Sequence, residues 1–314
     1  SCGSIHLEGL CTSFPLTELE LGMETIGLIG IGLVGSSLLR RFRAAGFDCL
    51  GYDISEEAVN RAVADGMTAA DSPADLGDAA RRVVLSLPNS DVVETVVDGP
   101  DGLVHGLQRG DLVIDTTTSD PERCAQLAAR LGGRGIHFLD ATILGSSKMV
   151  AEGSTLVMVG GEEEQLERGR DILETFASRI YHMGPNGKGA EAKLIVNLVL
   201  GLNRLVLAEG LLLGKKAGVN LNVMLDVLKE GAAYSKVMDQ KGDRMITEDF
   251  TTEAKLAQHL KDVGLILDMG MKQNLKLPVS ALHAEVLRAG VEAGYADQDN
   301  SAVIKALEHY VDAN

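Results

Sequence analysis

Through the first half of the chain, short apolar runs alternate with segments whose apolar positions recur at helical spacing. The runs are "TIGLIG", "DCLGYD", "RRVVLSLP", "GDLVIDTTT", "IHFLDATI" and "STLVMVGG". Each is short and ends in turn residues, which predicts buried strands. Between them lies "SEEAVNRAVADG", with Ser55 placed to cap a helix and Glu56 and Glu57 in its first turn. "SDVVETVV" starts another helix, and in "SDPERCAQLAARLGGRG" Pro121 suits a first turn. This alternation predicts an α/β layer architecture, a parallel sheet with helices on both faces. At "YHMGPNGKG" the pattern breaks, and almost no strand signal follows. "AEAKLIVNLVLGLNRLVLAEGLLLGKKAG" predicts one long helix, apolar nearly all round and therefore covered on several sides. "NLNVMLDVLKEG", "TTEAKLAQHLKDVGLILDMGMKQNL", "LPVSALHAEVLRAGVEAG" and "SAVIKALEHYVDA" predict further helices. The expected organisation is an α/β domain over residues 23–186 and an all-helical C-terminal domain over residues 187–314, joined through the long helix. Residues 1–22 fit neither pattern and read as a leader with little role in the fold.

A length of 314 residues agrees with two domains. Trp is absent and aromatics make up 4%, so the core must rest on Leu, Val, Ile, Ala and Met. The net charge of -16 argues against a nucleic-acid partner but leaves room for a small anion held by a local lysine. No apolar run reads as long enough to cross a bilayer. The four cysteines, at 2, 11, 49 and 124, share no metal-ligand spacing and read as reduced thiols of a cytoplasmic protein. None of the seven histidines has a paired acid or a metal spacing, so no metal site is expected.

The first strand runs into Gly30-Ile31-Gly32-Leu33-Val34-Gly35, a G-x-G-x-x-G spacing between a predicted strand and a predicted helix. That context points to a Rossmann-type domain whose glycines let a pyrophosphate approach a helix N-terminus. Asp53 ends the second strand, where an acid binds the adenosine ribose hydroxyls. No Arg stands beside it to accept a 2'-phosphate, so NAD is expected over NADP. Leu87 and Pro88 after the next strand are placed to line the adenine or ribose side, and Thr117 and Thr118 to lie nearer the nicotinamide. Local capping is the other use for these residues.

Lys193 and Asn197 stand one helical turn apart among Leu194, Ile195, Val196 and Leu198. A lysine enclosed by apolar groups has a lowered pKa, as a proton-transfer group needs. Asn197 has a donor and an acceptor for a substrate hydroxyl or carboxylate. The chemistry that fits is hydride transfer between an alcohol carbon and a nicotinamide, with Lys193 exchanging the hydroxyl proton. A lysine snorkelling from a packed helix would leave the same trace.

The order of these motifs resembles the beta-hydroxyacid dehydrogenases, whose members include 3-hydroxyisobutyrate dehydrogenase and tartronate semialdehyde reductase. "GLIGIGLVG", "FLDATILGSSKMVAEGSTLVMVGG", "GPNGKGAEAKLIVN", "LKD" and "GYADQDNSAVI" carry the likeness, which covers everything from Met23 onward. The resemblance implies that Lys193 is the acid/base, that Asn197 binds substrate, that Lys261 lies near the nicotinamide, and that the protein forms dimers or tetramers. It also marks a departure. The family's D-A-P-V-S-G-G is here Asp140-Ala141-Thr142-Ile143-Leu144-Gly145-Ser146. Leu144 replaces the serine that commonly contacts the substrate carboxylate. Gly145, Ser146, Ser147 and Lys148 are then the candidate substrate contacts, for a small substrate with a differently placed acid group. The alternatives are an imine reductase on the same scaffold, against which Lys193 argues, and a nucleotide-binding protein without activity.

Overall fold

The computed structural model describes residues 24–313, so the reading of residues 1–22 as a leader lies outside the described residues. Strands β1 (Thr25–Ile29), β2 (Asp48–Tyr52), β3 (Thr68–Ala69), β4 (Arg82–Leu85), β5 (Leu112–Asp115), β6 (His137–Leu144), β7 (Thr155–Gly160) and β8 (Ala177–Gly184) form one sheet. Their order is β3-β2-β1-β4-β5-β6-β7-β8. Helices α1 (Leu33–Ala44), α2 (Glu56–Ala64), α3 (Pro73–Ala79), α4 (Ser90–Asp98), α5 (Pro121–Gly133), α6 (Ser147–Glu152) and α7 (Glu163–Glu174) connect the strands. The order reverses at β1, which pairs with β2 on one side and β4 on the other. In such sheets a ligand crevice opens beyond the carboxyl ends of those strands.

Successive strand residues feed two different cores, as the two-residue side-chain period requires. Leu28, Val84 and Ile114 pack with Leu38 and Phe42. Ile29, Leu85 and Val113 pack with Val97 and Leu127 on the opposite face. The sheet is therefore covered on both sides, as the apolar runs predict. A third core belongs to the helical half, which begins with α8 (Lys188–Lys216) and continues with α9 (Leu221–Glu230), α10 (Asp243–Thr247), α11 (Leu256–Lys272), α12 (Pro278–Gly290) and α13 (Val303–Ala313). Helix α8 touches both halves, packing on β6 and β7 at its start and on α11 and α13 further along.

Three features depart from the sequence expectation. Strand β7 runs antiparallel to β6. Their link holds little more than the 6-residue α6, too short for the crossover that a parallel neighbour needs. Strands β3 and β8 have no counterpart among the predicted strands. They are the two sheet edges, with mostly exposed side chains, so they lack an apolar run. Helix α8 is long and apolar enough, by length and composition, to cross a membrane. This corrects the reading that no segment approaches that limit. Leu194, Leu205, Leu207 and Leu211 of this helix are buried in the protein.

The helical half is tied together at Asp299, which has no exposed surface. Its oxygens accept from Lys241 Nζ at 2.9 Å, from Ser301 N at 3.0 Å and from Ala254 N at 3.1 Å. Burial raises its pKa, but the donors from Ser301 and Lys241 outweigh burial and bring it down to about 2. A carboxyl whose folded pKa lies below its unfolded value stabilises the fold above the unfolded pKa and loses that contribution as pH falls through the folded one. Asp299→Asn is therefore expected to lower stability by about 2 kcal/mol at neutral pH. Urea unfolding from pH 7 to 2 should show the wild type losing this difference between about pH 4 and 2.

Candidate active site

Helix α8 starts at Gly187, whose φ of 94° is reached without strain by glycine. It has no side-chain cap of its own. The first turn is instead held by Asp140, buried in the middle of β6. Asp140 Oδ1 accepts from Gly187 N at 2.8 Å and Oδ2 from Ala190 N at 2.9 Å. Burial keeps this carboxyl's pKa above the ordinary range despite those donors. Thr142 Oγ1 donates to Gly189 O at 2.9 Å. A Cβ on Gly189 would stand 2.3 Å from Asp140 O, so the helix lies against the strand backbone.

This contact places Lys193, one turn further on, at the end of β6, where its Nζ donates to Ile143 O at 2.6 Å. Burial of the ammonium end lowers its pKa; Asp262 opposes that shift and Lys261 adds to it. Asn197, on the same face, is buried, and its Nδ2 donates to Asp262 Oδ2 at 3.0 Å. Asp262 Oδ1 lies 3.1 Å from Lys261 Nζ. Lys261 Nζ in turn donates to Thr118 O at 2.9 Å and to Pro88 O at 3.4 Å. A continuous polar chain thus runs from Asn197 on α8 through α11 to the loops that follow β4 and β5. The same loops are joined by Leu87 N donating to Thr117 Oγ1 at 3.1 Å. Thr117 N donates to buried Asp115, whose pKa burial pushes up to about 7.

The glycine motif lies beyond the carboxyl end of β1. Gly30 has φ +92°, and a Cβ there would meet Ser86 O at 2.2 Å. A Cβ on Gly35 would meet Gly30 O at 1.9 Å, so both glycines serve close packing. Gly32 is different, because a Cβ there would meet nothing within 4 Å. Gly32 caps α1 without a side-chain bond, and the first turn holds no acid. Leu33 is exposed and Val34 half-buried. Ile31 N donates to Asp53 Oδ2 at 2.6 Å, and Ser55 N to Asp53 Oδ1 at 2.9 Å. Asp53 is thereby held at the motif, with lone pairs to spare on each oxygen. An open glycine at an uncapped helix start, beside a fixed carboxylate, fits a dinucleotide.

The segment after β6 is less converged. Leu144 is half-buried at the strand end, and Gly145 is exposed. Ser146 is used as the cap of α6, accepting from Met149 N at 3.3 Å. Ser147 is half-buried, and Lys148 is exposed, 4.0 Å from Glu152 Oε1.

Two matches together span most of the chain. Residues 25–184 match the family described as the NAD binding domain of 6-phosphogluconate dehydrogenase. Residues 187–307 match the one described as NAD-binding of NADP-dependent 3-hydroxyisobutyrate dehydrogenase. The chain belongs to the beta-hydroxyacid dehydrogenase family. Among curated members, 2-(hydroxymethyl)glutarate dehydrogenase of Eubacterium barkeri is 31% identical over 84% of this chain and 88% of its own. L-threonate dehydrogenase of Cupriavidus necator is 30% identical, over 89% and 95%. The crystal structure of 3-hydroxyisobutyrate dehydrogenase from Salmonella typhimurium superposes with a TM-score of 0.82 at 28% identity, over 90% of this chain and 99% of that one. As a beta-hydroxyacid dehydrogenase the protein is an oxidoreductase with NAD(P)-binding domains, and its relatives act on small hydroxy acids.

Sequence reasoning missed Arg204. It is buried on the same face of α8 and was lost among apolar neighbours, although it interrupts an apolar run with a charge. The role of Asp140 in starting α8 was also missed, because its partners lie far along the chain. Gly189→Ala is expected to force α8 off β6 and to lower stability by about 2–3 kcal/mol. A urea melt of that variant matching wild type would show that the helix start has room to spare.

Proposed function

We propose that this beta-hydroxyacid dehydrogenase interconverts a small acidic β-hydroxy compound and its aldehyde or keto form, with NAD as cofactor and Lys193 as general acid/base. The observation that carries the reading is the polar chain from Asn197 through Asp262 and Lys261 to Thr118 O, because it ties the Lys193 face of α8 to the crevice of the glycine motif. The bound nicotinamide supplies or accepts the hydride. Lys193 Nζ takes the hydroxyl proton in oxidation and returns it to the forming alkoxide in reduction. Burial lowers the pKa of this amine, which makes its neutral, proton-accepting form easier to reach. As an ammonium it also stabilises the oxygen's developing charge. Asn197, fixed by Asp262, orients the substrate oxygen. Leu144 to Lys148 bound the acid group, with Leu144 offering no hydrogen bond there. The relatives' names, with 2-(hydroxymethyl)glutarate and L-threonate as substrates, support a carboxylate.

Asp53 supports NAD, since a 2'-phosphate would meet its charge and those of Glu56 and Glu57 that follow. We also propose a cytoplasmic homodimer or homotetramer. Ile195, Val199, Val206 and Leu213 leave an exposed apolar row on α8 that a second copy would cover.

Lys193→Ala should reduce turnover by roughly a thousandfold while NADH binding stays near wild type. The assay is NADH absorbance over a panel of L-threonate, 2-(hydroxymethyl)glutarate, 3-hydroxyisobutyrate and succinic semialdehyde. Retained turnover in that variant, or none in wild type with either cofactor, would overturn the reading. In the same assay kcat/KM with NAD(H) should exceed that with NADP(H) by at least about tenfold, and Asp53→Ser should narrow the gap.

A further inference from the structure

Strand β5 ends at Asp115, and the loop after it runs through Thr117, Thr118 and Ser119 before Asp120 caps α5. Asp115 Oδ1 accepts from Thr117 N at 2.9 Å. Its other oxygen, Oδ2, has no hydrogen-bond partner among the described residues, and neither has Ser119 Oγ. Both side chains are sealed in the fold, Asp115 at 1% exposure and Ser119 at 2%. Buried polar atoms are nearly always bonded to protein or to an ordered water. Two unpaired ones four residues apart therefore point to a shared partner.

Asp115 and Ser119 line one small cavity between α4 and α5, with Ser90, Glu94, Arg123 and Cys124 around it. Its volume of about 10 Å³ is room for one water, which needs roughly 10–15 Å³. Glu94 and Arg123 are bound to each other, Nε to Oε1 at 3.0 Å and Nη2 to Oε2 at 2.8 Å. Too few oxygens then remain for a hard cation, which takes about six. The Cys124 thiol lies beside Ser119 but is a weak partner. Ser90 Oγ accepts from Asp120 N at 2.9 Å, which leaves its hydroxyl proton to give. A water here would accept from the two serine hydroxyls and donate to Asp115 Oδ2, the usual number of bonds for a buried water. Burial pushes the Asp115 carboxyl up to about 7. A water can turn to donate to the carboxylate or to accept from the acid, so it serves both forms.

We propose that this cavity is a binding site for one structural water, which bridges Asp115 Oδ2 to Ser119 Oγ and Ser90 Oγ and so ties the loop after β5 to the start of α4. Direct bonds already join the same two segments, from Leu87 N to Thr117 Oγ1 at 3.1 Å and from Asp120 N to Ser90 Oγ. Both segments follow strands whose carboxyl ends face the cofactor crevice. Lys261 binds a carbonyl of each, at Pro88 and Thr118. A bridging water holds two groups nearly as well as a direct bond. It therefore sets how firmly Thr117 and Thr118 are held at that crevice. The site stands apart from the reading of Lys193 and Asn197 and from the identity of the substrate.

A crystal structure of the wild-type protein at about 1.5 Å tests the site directly. One ordered water is expected within about 3.2 Å of both Asp115 Oδ2 and Ser119 Oγ. A direct bond between those two atoms, or no ordered density in the cavity, overturns the proposal. Ser119→Ala removes one partner of the water. It should weaken binding of the reduced cofactor by about three- to tenfold, read by fluorescence titration with whichever of NADH and NADPH wild type binds more tightly. A role in stability alone would lower the melting temperature and leave that titration unmoved. Unchanged cofactor binding in a folded Ser119→Ala overturns the tie between the loops. Should the variant fail to fold, the wild-type map decides the matter.

Discussion

The contact on which the site depends is the carboxylate of Asp140 receiving two backbone N–H groups from the start of α8. A helix begins with N–H groups that lack partners, and a buried carboxylate is a strong acceptor for them. By meeting each other they fix where α8 leaves β6. Lys193 sits one turn beyond, so its reach is set by the sheet and not by a flexible loop. Gly189 permits the approach, since any larger residue would press on the β6 backbone.

The second constraint is that the two halves also meet through lysines of α11, which bind carbonyls at one end and carboxylates at the other. Lys261 on α11 donates to Thr118 O and Pro88 O, which belong to loops at the crevice mouth. Lys272, at the end of the same helix, reaches Glu122 at 2.8 Å and Asp120 at 3.3 Å on the first turn of α5. Such exposed contacts are individually weak and exchange readily with water. They suit a cleft that must admit a cofactor, whereas the Asp140 junction, buried and doubly bonded, suits a permanent hinge point.

Much of this was legible because local pattern and chemistry agree at the same residues. The first strand, its glycines and α1 could be read from "TIGLIGIGLVG", since each glycine there answers a local crowding or opening. Lys193 and Asn197 stood out because a cation and an amide interrupt an apolar face at helical spacing. Strand β8 was not legible, because an edge strand with exposed side chains has neither an apolar run nor a strict alternation. The reversal of β7 depends on the length of a link, which the strand sequences do not contain. The role of Asp140 at the start of α8 was not legible, because its partners are 47 and 50 residues away. The pairing of Asn197 with Asp262 spans 65 residues and is just as invisible to local pattern.

The overall charge of -16 and an acidic substrate look incompatible only if the shell acts at long range. At physiological salt the Debye length is about 8 Å, so most surface carboxylates are screened from a ligand already inside a cleft. On the proposed reading such a ligand meets local charges: the ammonium of Lys193, which donates to a neutral carbonyl, and that of Lys261, bound to two carbonyls and one carboxylate. Neutral carbonyls leave much of a lysine's charge uncancelled, so the cleft side of this acidic protein remains attractive to an anion. Leu144 sharpens the consequence. On the proposed reading, with no hydroxyl at that position, orientation of a substrate acid group would fall to these cations and to backbone donors, favouring charge over hydrogen-bond geometry as the basis of selection.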